Sequence, residues 1–198
     1  MVAFLTVAAT PSAPPLLLRP WRYDDVEVLT RIGTDHALRR WTSFPAENTE
    51  KIQQWVRAQH DGRETGDRIS YAVQEADPRG VPAGEPAAHV VLKLHQGAGR
   101  PVGEVGYWTA AHARGRNIAA RALDELCRWA FEQYAPARLT HLELIHQVDN
   151  HASCRVAAKA HFALLQVLPP RPPWPLEGHL HVRYRNGEAT TASEHHRH

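Results

Sequence analysis

The sequence predicts a single-domain α/β protein, in which a mixed sheet carries helices on both faces. Stretches that alternate apolar and polar residues, typical of strands, are interrupted by amphipathic stretches with helical spacing. A strand–helix–strand unit follows an antiparallel hairpin, and this order implies a mixed sheet. The length of 198 residues is that of one domain, which buries roughly 70% of the surface of the unfolded chain.

The first third of the chain predicts one strand followed by two helices. LLLRPW, from Leu16 to Trp21, is typical of a short strand that ends at its proline. Asp24 opens a helical pattern that continues to Ile32, and an acidic first turn suits the positive end of a helix. Thr49 opens a second amphipathic helix.

The middle of the chain predicts three strands and a helix. The strands cover residues 68–76, 88–95 and 101–109, and the turn GAGR joins the last two into a hairpin. The loop ADPRGVPAGEP separates the first two. After Gly115, apolar residues recur with helical spacing at Ala119, Ala122, Leu123, Leu126 and Ala130.

The last third predicts a strand over 138–148, a helix from Asn150, and strands over 162–168 and 179–184. PPRPPWP, at 169–175, is too rich in proline for a helix or a strand. We therefore expect one domain that covers 16–187, between a flexible tail at 1–15 and a polar tail at 188–198.

Charge, hydropathy and cysteine content argue against several classes of protein. A net charge of +2 is too small for a dedicated nucleic-acid binder. No apolar run approaches the roughly 20 residues of a membrane span, and MVAFLTVAATPSA lacks the positive charges that begin a signal peptide, so we expect a cytoplasmic protein. Cys127 and Cys154 are too few for a disulfide framework and are expected to pack in the interior.

The segment from Ala113 to Ala119 lies where a predicted strand passes into a helix. The first amides of a helix have no partner within it, and the helix dipole adds positive charge. Gly115 allows the backbone to approach a ligand closely, and Arg114 and Arg116 add full charges. These features predict an anion site suited to a pyrophosphate. The spacing is neither that of the P-loop nor G-x-G-x-x-G.

GYW followed by ARGRNIAARAL resembles the acetyl-CoA-binding segment of the GCN5-related N-acetyltransferases (GNAT). The family loop reads Gln/Arg-x-x-Gly-x-Gly/Ala, and Arg114, Asn117 and Ala119 occupy its first, fourth and sixth positions. LRPW with Asp24, FPAENTEKIQQWV and DNHASCRVAAKAHF resemble the ribosomal-protein-alanine acetyltransferase-like branch. The likeness extends over about residues 16–162.

Two positions depart from the family pattern. Asn117 replaces the loop glycine, and His161 replaces the glycine that usually precedes Phe162. Asn is the residue other than glycine that best tolerates a positive φ. We therefore expect Asn117 to adopt a glycine-like backbone conformation.

The resemblance implies a mostly antiparallel sheet of six to seven strands, with a splayed strand pair that holds acetyl-CoA. The pantetheine arm would bond the backbone of the strand, and the pyrophosphate would bond the loop. Asn150 and Ser153 would face the cofactor from the next helix. The cofactor-binding residues expected in the strand and loop are Tyr107, Trp108, Thr109, Arg114, Gly115, Arg116, Asn117, Ile118 and Ala119.

The implied reaction is direct acetyl transfer to a primary amine, either a peptide or protein N-terminus or a small molecule such as an antibiotic. Glu104 is the first candidate for the base, with Glu143 and His146 as alternatives, and Ser153 is the candidate to protonate the sulfur. The other hypothesis is a non-catalytic module that only binds CoA or another ligand. A monomer or a homodimer is equally compatible with the sequence.

The resemblance also places three aromatic residues, Trp41, Phe44 and Trp174, beside the acceptor amine. A metal is not expected. His179 and His181 lie two apart on one strand face, but no third and fourth ligands follow at a spacing typical of zinc.

Overall fold

One eight-stranded sheet forms the centre of the molecule, in the order β1-β2-β3-β4-β5-β6-β8-β7. The structure is a computed structural model that describes residues 4–45, 48–96, 101–135 and 139–185. All neighbouring strands are antiparallel except β5 and β6, which are parallel. The strands are β1 (Leu5–Val7), β2 (Leu16–Arg19), β3 (Arg68–Ala76), β4 (Pro82–Gln96), β5 (Pro101–Thr109), β6 (His141–Gln147), β7 (Ala163–Leu168) and β8 (Gly178–Tyr184).

In the described part of the chain, five α-helices connect and cover these strands. They are α1 (Val26–Ile32), α2 (His36–Trp41), α3 (Thr49–Thr65), α4 (Ile118–Gln133) and α5 (His151–Lys159). The six residues of α2 were not predicted, because so short a helix shows little periodicity. Its start is defined by Asp35, whose carboxylate accepts a hydrogen bond from the amide of Ala37 at 3.1 Å. None of the described helices is long and apolar enough to cross a membrane.

The predicted mixed, mostly antiparallel sheet is confirmed, with one strand more than expected. The additional strand is β1, which lies within the segment predicted to be a flexible tail. It pairs with β2 and buries Leu5 in the core. Three residues are too few to show a convincing alternation, so sequence patterning missed the strand.

Strand β4 is also longer than predicted. It begins at Pro82, within the predicted loop, and pairs with the end of β3 beyond a register shift between Val73 and Glu75. Three predicted features lie outside the described residues: the turn at 97–100, the start of the strand at Arg138 and the tail at 188–198.

The sheet separates two hydrophobic cores. On one face, α4 and α5 pack against the strands, with Leu123 and Leu126 fully buried. On the other face, α1 and α3 pack around Trp21, Leu29 and Ile52. The prediction of helices on both faces of the sheet is therefore confirmed, since each core is formed between the sheet and helices on one of its faces.

Strands β5 and β6 run side by side only briefly. Their register extends from Gly103 opposite Leu142 to Val105 opposite Leu144. Among the described residues, no pairing between these strands continues past that point. The second half of β5 and the end of β6 therefore diverge, which confirms the predicted splayed pair.

Candidate active site

A cleft of about 1270 Å³ occupies the gap between the diverging strands. One wall is the second half of β5, from Gly106 to Thr109, and the other is the end of β6 with the start of α5. Because the gap interrupts the sheet itself, residues from both cores line the cleft. A molecule bound there can extend from one face of the sheet to the other.

The loop before α4 has the backbone geometry expected of an anion site. Gly115 has φ 77° and Asn117 has φ 61° and ψ 14°, so the predicted glycine-like conformation of Asn117 is confirmed. The Asn117 side chain makes no capping hydrogen bond. The first hydrogen bond of the helix runs from the amide of Arg121 to the carbonyl of Asn117 at 3.2 Å. The amides from Ile118 to Ala120 therefore have no acceptor within the helix.

The two loop arginines contact carboxylates. Arg114 pairs with Asp35, and Arg116 pairs with Glu75. Arg114 lines the cleft with Gly115, Asn117, Ile118 and Ala119, whereas Arg116 lies outside the lining. Arg114 and the free amides at the start of α4 therefore both contribute positive potential at the loop end of the cleft.

Tyr107 and Ser153 form a hydrogen-bonded pair on the α4/α5 face of the cleft. Their hydroxyl oxygens are 2.7 Å apart. Burial raises the pKa of Tyr107 to about 12, so its hydroxyl keeps its proton at neutral pH. Asn150 caps α5, since its side-chain oxygen accepts the Ser153 amide at 3.2 Å. The Ser153 hydroxyl is therefore not needed as a helix cap and remains directed at Tyr107.

Glu104 lies on the other face, because side chains alternate along β5. Its carboxylate accepts a hydrogen bond from Lys93 at 2.5 Å, directly across the β4–β5 register. Arg68, whose pKa is lowered mainly by burial, also lines this side, and the charge of Glu104 partly counters that shift. Glu143, the alternative base, lies outside the cleft lining and contacts His141 at 3.7 Å.

An aromatic wall continues from Glu104 along the same face. Trp108 stacks on His89 with ring centroids 5.5 Å apart and an interplanar angle of 21°. Phe44 packs edge-on against Trp108 and Trp55. The three aromatic residues predicted to lie beside the acceptor amine all line the cleft, namely Trp41, Phe44 and Trp174. Phe44 is also part of the hydrophobic core.

His89 is a cleft residue that sequence reasoning missed. The indole N–H of Trp21 donates to His89 Nδ1 at 3.0 Å, so a neutral ring carries its proton on Nε2. Burial, with the nearby charges of Arg68 and Lys93, lowers the pKa of His89 to about 3. The signal that could have found it is a histidine in an otherwise apolar stretch, between Ala88 and Val90.

A second group was separated in the sequence and is brought together by the fold. His146 on β6, Cys154 on α5, and His179 and His181 on β8 converge beside the cleft. Burial lowers the pKa of His146, and burial together with His146 and His179 lowers the pKa of His181 to about 4. Cys154 was expected to pack as an apolar residue, and it instead faces polar ring nitrogens.

The sequence matches one protein-family model, described as an acetyltransferase (GNAT) domain, over residues 15–163. The chain belongs to the GNAT acetyltransferase family. No curated protein matches this GNAT chain at the sequence level. Its likeness to individual proteins is therefore structural.

Three solved structures illustrate that likeness. RimJ from Mycobacterium smegmatis, in complex with a CoA disulfide, has 21% identity and a TM-score of 0.72, and the match covers 93% of this chain and 87% of that chain. The acetyl transferase of Salmonella typhimurium that modifies the N-terminal serine of ribosomal protein L7/L12 has 17% identity and a TM-score of 0.70. The match covers 90% of this chain and 98% of that chain.

The third is the microcin C7 self-immunity acetyltransferase MccE, in complex with acetyl-CoA and AMP. It has 16% identity and a TM-score of 0.70, over 88% of this chain and 97% of that chain. At these identities the likeness establishes the fold, which is the GNAT fold with its splayed strands.

Proposed function

We propose that this GNAT chain transfers an acetyl group from acetyl-CoA directly to the α-amine of a peptide or protein N-terminus. The observation that carries the proposal is the cleft through the sheet. Its α4/α5 face holds a protonated hydroxyl pair, and its other face holds a carboxylate beside an aromatic wall. A two-sided cleft of this kind suits a reaction in which donor and acceptor approach from opposite faces.

The donor side has groups that fit acetyl-CoA, which supplies an activated thioester carbonyl. The free amides at the start of α4, with Arg114, would bind the pyrophosphate. The edge of β5 that faces the gap, from Gly106 to Thr109, would bond the pantetheine arm. Asn150, at the start of α5, lines the opposite wall.

Two groups would move protons. The Tyr107–Ser153 pair holds a proton at a hydroxyl oxygen for the departing sulfur. Glu104, whose carboxylate pairs with Lys93, would accept the proton of the attacking amine on the other face. This division of roles follows from the opposite faces of β5 on which Tyr107 and Glu104 lie.

A peptide acceptor is favoured by the relatives. The Salmonella relative is named for modifying the N-terminal serine of a ribosomal protein. The microcin C7 self-immunity protein makes a small-molecule acceptor the second candidate. Trp41 and Trp174 would contact the acceptor, because both line the cleft without being fully buried.

The first experiment measures CoA thiol release with acetyl-CoA and a panel of peptides and small amines. We expect turnover on peptides with a free N-terminus and none on the same peptides after N-terminal blocking. Tight CoA binding without turnover on the whole panel would establish the non-catalytic module instead.

The second experiment tests the two proton-moving groups. We expect Glu104→Gln and Tyr107→Phe to lower kcat by about 10²–10⁴-fold, with little change in KM for acetyl-CoA. Glu132→Gln and Tyr134→Phe are the matched controls, because both residues lie outside the cleft lining. Equal kcat values for Glu104→Gln and its control would remove Glu104 from the mechanism.

A further inference from the structure

We propose that His146, Cys154, His179 and His181 form a binding site for a divalent transition-metal ion, with Zn²⁺ as the occupant. One ligand atom from each side chain lies within 4.8 Å of the corresponding atoms of the other three. Three imidazoles and one thiol are a complete set of protein ligands for a tetrahedral zinc site.

Three of the distances between these atoms are close to those of such a site, and the whole set lies within 4.8 Å. His146 Nε2 and His181 Nε2 are 3.1 Å apart, and Cys154 Sγ is 3.7 Å from His146 Nε2 and 3.4 Å from His179 Nδ1. Tetrahedral bonds of about 2.1 Å to nitrogen and 2.3 Å to sulfur separate neighbouring ligand atoms by roughly 3.3–3.6 Å. Small rotations of the side chains would therefore complete the coordination.

The sheet register explains why the cluster forms. His146 lies directly opposite His179 on the β6–β8 pair, and His181 lies opposite Leu144, two residues along the same face. Side chains two residues apart on a strand share a face, so the three rings point to one side. Helix α5 brings Cys154 to that same side.

His146 is oriented as a metal ligand. Its Nδ1 lies 2.8 Å from the carbonyl oxygen of Gln147, and a carbonyl can only accept a hydrogen bond. Nδ1 therefore carries the proton, and the lone pair of Nε2 faces the other three residues. Metal-bound histidines commonly donate their second ring N–H to a backbone carbonyl in this way.

Zinc fits the ligand set better than magnesium or calcium, which prefer oxygen ligands. Four protein ligands leave no open position, so the ion would act as a structural clamp that joins α5 to β6 and β8. Ser153 precedes Cys154 directly, and β6 forms one wall of the cleft. The clamp would thereby hold that wall and Ser153 in place, and His146 would not be available as a base.

The test measures zinc in the full-length chain, purified without an affinity tag. The sequence ends in EHHRH, and such tracts bind metal by themselves, so the parent protein carries His195→Gln, His196→Gln and His198→Gln. We expect one equivalent of Zn²⁺ per chain in this parent by elemental analysis, after exposure to Zn²⁺ and gel filtration. A parent without stoichiometric zinc would overturn the proposal.

Two ligand variants and one control complete this test. Cys154→Ser and His179→Gln are expected to lose the bound equivalent, whereas His151→Gln retains it, because His151 is an exposed residue of α5 outside the cluster. Circular dichroism checks that each variant is folded. Full retention of zinc by folded Cys154→Ser would show that the thiolate is not a ligand and would also overturn the proposal.

A second measurement on the parent does not depend on any ligand variant being folded. Co²⁺ replaces Zn²⁺ as a spectroscopic probe, and we expect visible bands of tetrahedral Co²⁺ with a near-ultraviolet thiolate-to-metal band. An octahedral spectrum without the thiolate band would contradict the proposed site. None of these readouts requires acetyltransferase activity, so they are independent of the proposed function.

Discussion

At the scale of single residues, two non-glycine positions among those that the structure describes adopt backbone conformations that usually require glycine. Asn117 has φ 61° and His161 has φ 64°. Both stand where the GNAT pattern has glycine, so the chain has kept the conformation and replaced the residue. The left-handed conformation costs a residue with a side chain roughly 1–2 kcal/mol, and least for Asn. The loop shape is therefore retained at a small cost in stability.

Asn117 provides a direct test of this argument. Asn117→Val should lower the free energy of unfolding by about 1–2 kcal/mol, because a β-branched residue is strained at this φ. It should also weaken CoA binding, since the loop amides depend on the turn. Asn117→Gly is the matched control and should preserve both properties. Urea denaturation and calorimetric CoA titration measure them, and equal results for the two variants would exclude a conformational role for Asn117.

His89 makes stability depend on pH. Its pKa is lowered to about 3 in the folded chain, against about 6.5 for an unperturbed histidine, so between these values only the unfolded state binds the proton. The contribution of His89 to the free energy of unfolding is complete above pH 6.5. It decreases by about 1.4 kcal/mol for each pH unit below that value, until the pKa of the folded state is reached.

The corresponding measurement is the difference in unfolding free energy between wild type and His89→Gln across pH 4–7. We expect wild type to lose its advantage steadily toward acid. Parallel curves for the two proteins would mean that His89 does not remain neutral in the folded state.

At the scale of secondary-structure elements, β5 organises the site. Its alternation sends Tyr107 to the α4/α5 core and Trp108 to the other core. Its first half packs tightly against β6, and its second half diverges to form the cleft. Gly103 marks the tight part, since an added Cβ would lie 2.5 Å from Leu142 Cδ2 and 3.2 Å from Leu92 Cδ1.

We therefore expect two glycines of β5 to differ in how much stability is lost when each is replaced by alanine. Gly103→Ala should destabilise the protein by about 1–3 kcal/mol, the usual range for overpacking a core. Gly106→Ala, whose added Cβ would meet only Val91 Cγ1 at 3.3 Å, should cost clearly less. Chemical denaturation measures the free energy of unfolding of both variants. A larger loss of stability for Gly106→Ala would contradict the tight packing of β5 on β6.

At the scale of the whole molecule, one sheet supports two cores, and each core needs the sheet. Trp21, Trp55 and Trp108 lie on the α1/α3 side, while Trp129 packs on the α4/α5 side. Loss of the helices from either core would expose one face of the same strands on which the other core packs. We therefore expect one cooperative unfolding transition.

Core truncations on the two faces test this coupling. Ile52→Ala and Leu123→Ala remove fully buried side chains from opposite cores and should each cost about 2–5 kcal/mol. In both variants, tryptophan fluorescence and circular dichroism should report the same midpoint in urea. Separate midpoints would indicate two independently unfolding units.

Much of this architecture followed from local patterns. Strands β3 and β5 coincide with their predicted bounds, because long alternating stretches carry a strong signal. The glycine-like conformation of Asn117 was also predicted, since it depends on one residue and its local turn. Strand β1 and helix α2 were missed because three and six residues are too few for a period to show.

The sequence by itself determined the fold class, the family and the loop that precedes α4, because each depends on residues close together in the chain.

The tertiary structure decided which distant side chains meet. It placed Tyr107 against Ser153 and Glu104 against Lys93, and it paired the loop arginines with Asp35 and Glu75. It also added His146 and Cys154 to the two histidines of β8. Strand register and helix packing set these contacts, and neither can be deduced from the spacing of residues along the chain.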